Sequence, residues 1–171
     1  MSSIKIGFIG LGNIGLPVAR SLAKSGLPLI IYSRHKKVAE EMEALGATAA
    51  KSSREVAAVS DIVISVVLDI PQTEEVIFGK DGVWEGIKEG TTIVISSTIG
   101  SEYCQKLYAR AKERGIQVID AVLSKSGPTN EEGGFTLMVG GDEDAVKRCW
   151  PSFHTRYKKM VVINAWGCRV L

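Results

Sequence analysis

The feature that most restricts what this chain can become is a short run near its start, Gly10-Leu11-Gly12-Asn13-Ile14-Gly15. It follows directly on a β-branched stretch, residues 4–9, and opens an amphipathic stretch over residues 14–24. Glycine is common, so the spacing alone says little; set between a strand and a helix it has a specific meaning. The first glycine permits a tight turn, the second lets the backbone approach a bound phosphate, and the third lets the helix settle onto the strand. The N–H groups at that helix start face the anion, helped by the helix dipole.

The alternation continues. Apolar, β-branched runs fall at residues 29–32, 61–67, 91–95, 116–119, 135–139 and 160–165. Helical patterns lie between them at residues 36–45, 72–78, 102–114 and 142–153. The run Asp61-Ile62-Val63-Ile64-Ser65-Val66-Val67 is nearly all apolar, as a strand covered on both faces must be. Strands alternating with helices of about ten residues imply βαβ units and a parallel sheet. Right-handed crossovers then place helices on both faces. Gly26, Gly46, Gly90 and Gly115 fall where a helix end or turn accepts a positive φ. The fold class is therefore α/β: a Rossmann-type, doubly wound, mostly parallel sheet, formed as one domain over residues 1–171.

Bulk properties exclude several alternatives. A net charge of +2 is too small to suggest a nucleic acid or a membrane as partner. No window approaches the roughly 18 apolar residues of a membrane span, and the first strand is too short and too interrupted for a signal peptide. With 45% hydrophobic and 23% charged residues, the sequence reads as a soluble, cytoplasmic protein. Cys104, Cys149 and Cys168 form an odd set without a CxxC pair, which argues against a disulfide framework and against zinc. No other metal-ligand spacing is present. His35, His154 and the pair Glu131-Glu132 show no pattern of a nucleophilic triad.

The end of the second strand decides which dinucleotide fits. An NAD site places Asp or Glu about 20 residues after the glycines, to hold the ribose 2′-hydroxyl. Here that position is Ser33, and no acidic residue occurs between Gly15 and Glu40. The chain offers Ser33-Arg34-His35-Lys36-Lys37 instead. A carboxylate would repel a 2′-phosphate, whereas Arg34 can pair with it, Ser33 can donate a hydroxyl and Lys37 adds charge. Cations at a helix start oppose its dipole, so three of them ask for an anion. NADP is favoured over NAD, and FAD, which has no 2′-phosphate, is disfavoured.

With these residues in hand, the sequence resembles the β-hydroxyacid dehydrogenases, a family that includes 3-hydroxyisobutyrate dehydrogenases and glyoxylate or succinic-semialdehyde reductases. The opening GFIGLGNIGLPVARSLAKSG carries the resemblance first. VVLDIPQTEEVIFGKDGVWEGIKEGTTIVISSTIG, RGIQVIDAVLS and GGFTLMVGG extend it over nearly the whole chain. It implies hydride transfer between NADP and a small hydroxyacid or semialdehyde. It also implies cofactor contacts from Val67 and Leu68 at a strand end, from Thr73 on the following turn, and from Thr98 on the nicotinamide side. Thr98 has a second reading as the cap of the helix beginning near Gly100.

The family's substrate segment, DxPVSGG-like, supplies a serine and backbone N–H groups for a carboxylate. Here it reads Asp120-Ala121-Val122-Leu123-Ser124-Lys125-Ser126-Gly127. Ser124 matches; Val122 replaces the proline, and Lys125 and Ser126 replace the glycines. Lys125 either pairs with an anionic substrate or fills the space where one should lie. The family's acid/base lysine, on a helix after a GxxGxG segment, is expected beyond Leu171, and residues 166–171 form an atypical tail. Two functions stay open: a dehydrogenase domain that is weak or inactive alone, or a non-catalytic NADP(H)-binding or regulatory module. Either would expose an apolar docking face for a homodimer or partner near Trp166.

Overall fold

Ile6–Ile9 forms β1, and its alternating side chains already divide the interior in two. Ile6 and Phe8 point into one apolar layer, while Ile9 points into the other, with Gly7 tight against Val56 and Ser60. The computed structural model describes residues 3–125, 135–154 and 159–164. After β1 come α1 (Gly15–Ala23), β2 (Leu29–Tyr32), α2 (Lys36–Ala44), β3 (Thr48–Ala49), α3 (Ser53–Val59) and β4 (Ile62–Ser65). Then follow α4 (Ile70–Phe78), α5 (Val83–Gly86), β5 (Thr92–Ile95), α6 (Ser101–Lys112) and β6 (Gln117–Lys125). β7 (Phe135–Gly141), α7 (Glu143–His154) and β8 (Lys159–Asn164) complete the described chain.

The strands form an eight-stranded sheet ordered β3-β2-β1-β4-β5-β6-β7-β8. Every neighbouring pair is parallel except β6 and β7. The crossing from β3 back to β4 on the other side of β1 reverses the strand order, which is where open α/β sheets bind ligands. One face is covered through Val18, Leu22, Met42 and Val146, and the other through Val56, Ile77, Val83, Cys104 and Leu107. β1, β4 and β5 are buried along their whole length, which explains their continuous apolar sequence.

The structure adds three elements to those expected, β3, α5 and α3. β3 is too short to show a period, and α5 is barely one turn. α3 did carry a signal in Ser52-Ser53-Arg54-Glu55. The Ser52 hydroxyl accepts the Glu55 N–H at 3.2 Å, and the Glu55 carboxylate accepts the Lys51 N–H at 2.9 Å. β6 also runs further than residues 116–119. β7 returns beside it and pairs residues 119–125 in an antiparallel ladder, so the strand continues to Lys125. The four helix-end and turn glycines do adopt positive φ, between 65° and 94°. None of the described helices is long and apolar enough to cross a membrane.

Candidate functional site

At the C-terminal ends of β1, β2, β4 and β5 a cavity of about 680 Å³ opens, floored by the glycine turn. Each glycine has its own reason there. Gly10 has φ +95°, and a Cβ on it would lie 2.1 Å from the Val66 carbonyl oxygen, so the turn is pressed against the end of β4. A Cβ on Gly15 would lie 1.9 Å from the Gly10 carbonyl oxygen, which fixes how closely α1 packs. A Cβ on Gly12 would meet nothing within 4 Å; that face is open to the cavity. α1 has neither a side-chain cap nor an acidic residue in its first turn. The Leu16 N–H is taken by the Gly12 carbonyl at 2.9 Å, and the start of α1 opens on the cavity without a side-chain acceptor, as a pyrophosphate site requires. Leu11, Asn13 and Ile14 line the same floor.

The end of β2 supplies Tyr32, Ser33, Arg34 and His35 to the wall. The Ser33 hydroxyl accepts the His35 N–H at 3.1 Å and lies 3.2 Å from the His35 carbonyl oxygen, closing the turn into α2. Arg34 is exposed on the wall and has no ion-pair partner among the described residues. The two lysines that follow differ from it. Lys36 lies 3.6 Å from Glu40 one helical turn on, and Lys37 is exposed but stands off the cavity wall.

Beyond β4, Val67 and Leu68 line the cavity as read from the sequence. The Val67 N–H donates to the buried Ser97 hydroxyl at 3.2 Å, tying the ends of β4 and β5 together. Leu68 is 77% exposed, and Ile14 and Ile70 nearby are also largely open. Thr73 is placed differently from the expectation. It lies inside α4, fully buried, its hydroxyl donating to the Asp69 carbonyl at 2.8 Å, and it is absent from the wall. Asp69 caps α4 by accepting the Gln72 N–H at 2.9 Å. That orientation turns Gln72, Glu75 and Val76 to the cavity and Thr73 to the core. Thr98 is exposed on the wall, but it does not cap α6, whose N-cap is Gly100 at φ +79°.

Sequence reasoning missed a whole side of the cavity because it missed α3. Lys51, Ser52 and Ser53 stand there, faced by Lys80, Asp81 and Gly82 from the turn after α4. The Arg54 N–H donates to the Asp81 carbonyl at 2.8 Å and holds the two segments together.

Ser124 and Lys125 belong to β6, in register with Thr136 and Phe135. Ser126 lies outside the described residues, as do Glu131, Glu132, Trp166, Cys168 and the tail. Asp120 lies within the paired strand. Burial holds its carboxyl above the usual carboxylate range, and the Cys104 thiol beside it pulls the other way. One of its oxygens, Oδ1, is buried without a hydrogen-bond partner. Burial also pushes the thiols of Cys104 and Cys149 up to about 12, so both are protonated and unreactive at neutral pH. Among the described residues no cluster of three or more metal-ligating side chains occurs.

The relatives of this chain agree with the site. It is 36% identical over 164 residues to the 2-hydroxy-3-oxopropionate reductase of Escherichia coli, covering 96% of this chain and 56% of that protein. It is 35% identical to the NAD-dependent L-serine dehydrogenase of Pseudomonas aeruginosa, covering 87% of this chain and 50% of that one. The crystal structure of 3-hydroxyisobutyrate dehydrogenase from Salmonella typhimurium superposes with a TM-score of 0.84 at 29% identity, over 95% of this chain and 56% of that one. The chain thus spans about half the length of the curated relatives it matches. The family described as the NAD binding domain of 6-phosphogluconate dehydrogenase matches residues 5–164. On that match, and on the glycine turn and strand-end cavity that go with it, the chain belongs to this family of nicotinamide-dinucleotide-binding domains, among relatives that are hydroxyacid dehydrogenases.

Proposed function

We propose that this chain is the NADP(H)-binding part of a β-hydroxyacid dehydrogenase, an oxidoreductase moving hydride between NADP and a small hydroxyacid or semialdehyde. The observation that carries the choice of cofactor is the end of β2. Ser33 stands where an NAD site keeps a carboxylate, and Arg34 lines the cavity without an ion-pair partner among the described residues. Gly10, Leu11, Gly12, Asn13, Ile14 and Gly15 would hold the pyrophosphate. Val67, Leu68 and Thr98 would flank the rest of the cofactor, whose nicotinamide supplies the hydride. The relative named as NAD-dependent makes the cofactor a question for this chain's own residues. Titration with NADPH and then NADH, followed by nicotinamide fluorescence, tests it. Much tighter NADPH binding supports the reading, and equal affinity for the two refutes the choice of NADP.

Turnover is a separate matter. The family's acid/base lysine is expected beyond Leu171, and a domain acting without a general acid loses about 10² to 10⁴ in rate. We infer slow or no turnover by this chain alone. A second reading, a non-catalytic NADP(H)-binding or regulatory module, draws support from the altered substrate segment, where Lys125 and Ser126 stand in place of glycines. Oxidation of small hydroxyacids at enzyme-like rates by the purified chain would remove it. A homodimer or protein partner over an apolar docking face near Trp166 goes with either reading. A chain that stays monomeric at high concentration in light scattering would count against that.

A further inference from the structure

We propose that Lys51, rather than Lys37, is the second cation for the cofactor's 2′-phosphate and acts with Arg34 as a specificity-determining residue. The inference rests on the NADP reading above and adds a residue to that site.

The register of two short strands sets the two cations side by side. β2 and β3 run parallel with Ile30 beside Thr48 and Ile31 beside Ala49. The Ala50 N–H donates to the Ile31 carbonyl at 2.8 Å, so the pairing continues past the last strand residue. Counting two positions on from Ile31 and Ala49 brings Ser33 and Lys51 to the same height at the same sheet edge. The turn that carries Arg34 and the turn that carries Lys51 are therefore neighbours, although the two residues are far apart in sequence. Both line the cavity and both are exposed.

Charge supports the pairing. Lys51 uses its backbone N–H, not its ammonium, to meet Glu55. Neither Lys51 nor Arg34 has an ion-pair partner among the described residues. Elsewhere on this surface the cations Arg20, Lys36 and Arg54 each have a carboxylate within 4 Å. Among the described residues the acidic side chains on the cavity wall, Glu75 and Asp81, come from α4 and the turn after it, not from the β2–β3 edge. Two unpaired cations on adjacent turns of a concave wall form a place for a dianion. Lys37 is a helix-surface residue that the wall does not include.

Adenosine 2′,5′-bisphosphate against adenosine 5′-monophosphate is the discriminating pair of probes, because it isolates the 2′-phosphate from the nicotinamide. Calorimetry on the full chain is expected to show tighter binding of the bisphosphate. Lys51→Ala should weaken the bisphosphate about fivefold, leave the monophosphate unchanged, and cost more than Lys37→Ala. Lys51→Arg should keep the preference and Lys51→Glu should abolish it. The effect of Lys51→Ala should shrink as salt is raised. Thermal melts of each variant establish that the fold persists. If Arg34→Ala removes the preference while Lys51→Ala leaves it intact, or if Lys37→Ala costs more, Lys51 is not the second cation and the NADP reading stands. If the unmodified chain binds both probes equally or binds neither, the NADP reading falls and this proposal falls with it.

Discussion

The two ends of the sheet carry different kinds of information. Along β1, β2, β4 and β5 the strands are parallel, and their C-terminal ends open together on one cavity. At the other end, β6 and β7 run antiparallel, so no common set of strand ends exists there and residues 119–125 are paired in a ladder. Parallel strands gather backbone N–H groups, helix starts and side chains at one edge, which is why binding concentrates there. An antiparallel pair places residues on faces rather than at an edge. The expected substrate residues Ser124 and Lys125 stand in such a pair.

The largest effect that would sharpen this contrast comes from Gly15. A methyl group there would sit 1.9 Å from the Gly10 carbonyl oxygen, with Phe8 at 3.3 Å behind it, so α1 must move off β1. Gly15→Ala should cost about 3 kcal/mol, lower Tm by roughly 6–12 °C, and abolish dinucleotide binding. A thermal melt within about 2 °C of the unmodified chain would show that α1 does not depend on that contact.

Gly12→Ala separates ligand from fold within the same turn. Its methyl group would meet no protein atom within 4 Å, so stability should stay within about 0.5 kcal/mol by urea unfolding. NADPH affinity should fall at least tenfold, because the methyl group occupies the cavity floor where a pyrophosphate would lie. Unchanged affinity would mean that the pyrophosphate lies elsewhere.

Arg34→Asp comes next. Replacing the wall cation by a carboxylate should remove a preference for NADPH and improve NADH relative to it, since a carboxylate can hold a 2′-hydroxyl and repels a 2′-phosphate. The ratio of the two dissociation constants should move by about two orders of magnitude, from loss of an attraction and gain of a repulsion. A ratio that does not move would shift the determinant to another part of the wall.

What was legible in the sequence follows the same division. The glycine turn could be read because its constraints are local: Gly10 answers to Val66 one strand away, Gly15 to Gly10 five residues back, and Gly12 to the open cavity floor. Buried parallel strands advertise themselves as apolar runs, and Ser33-Arg34 follows the strand that places it. Lys51 was not legible, because it reaches the wall through β3, a two-residue strand, and α3, whose Ser52–Glu55 cap was the only sign of a helix. Thr73 was misplaced because Asp69 sets the rotation of α4, which turns Gln72 rather than Thr73 outward. The extension of β6 depends on a partner strand that follows it in the chain, so nothing local to residues 120–125 foretold it.

Asp120 gives the smallest effect and the sharpest test of the division, since it should alter stability and leave the cavity alone. Its carboxyl is held above the ordinary 3.8 by burial, while the Cys104 thiol of α6 beside it acts in the opposite sense. The fold therefore binds this proton more tightly than the unfolded chain does. Stability from Asp120 is complete below about pH 4, where both states are protonated, and is lost as pH rises through the folded value. Asp120→Asn has no proton to lose. Its stability relative to the unmodified chain should thus rise from pH 4 upward and level off once the native carboxyl is ionised, as read by urea unfolding at several pH values. NADPH affinity should not change, because Asp120 lies away from the cavity wall. A constant difference at every pH would mean that the carboxyl titrates normally. A change in NADPH affinity would mean that the antiparallel end of the sheet does communicate with the parallel one.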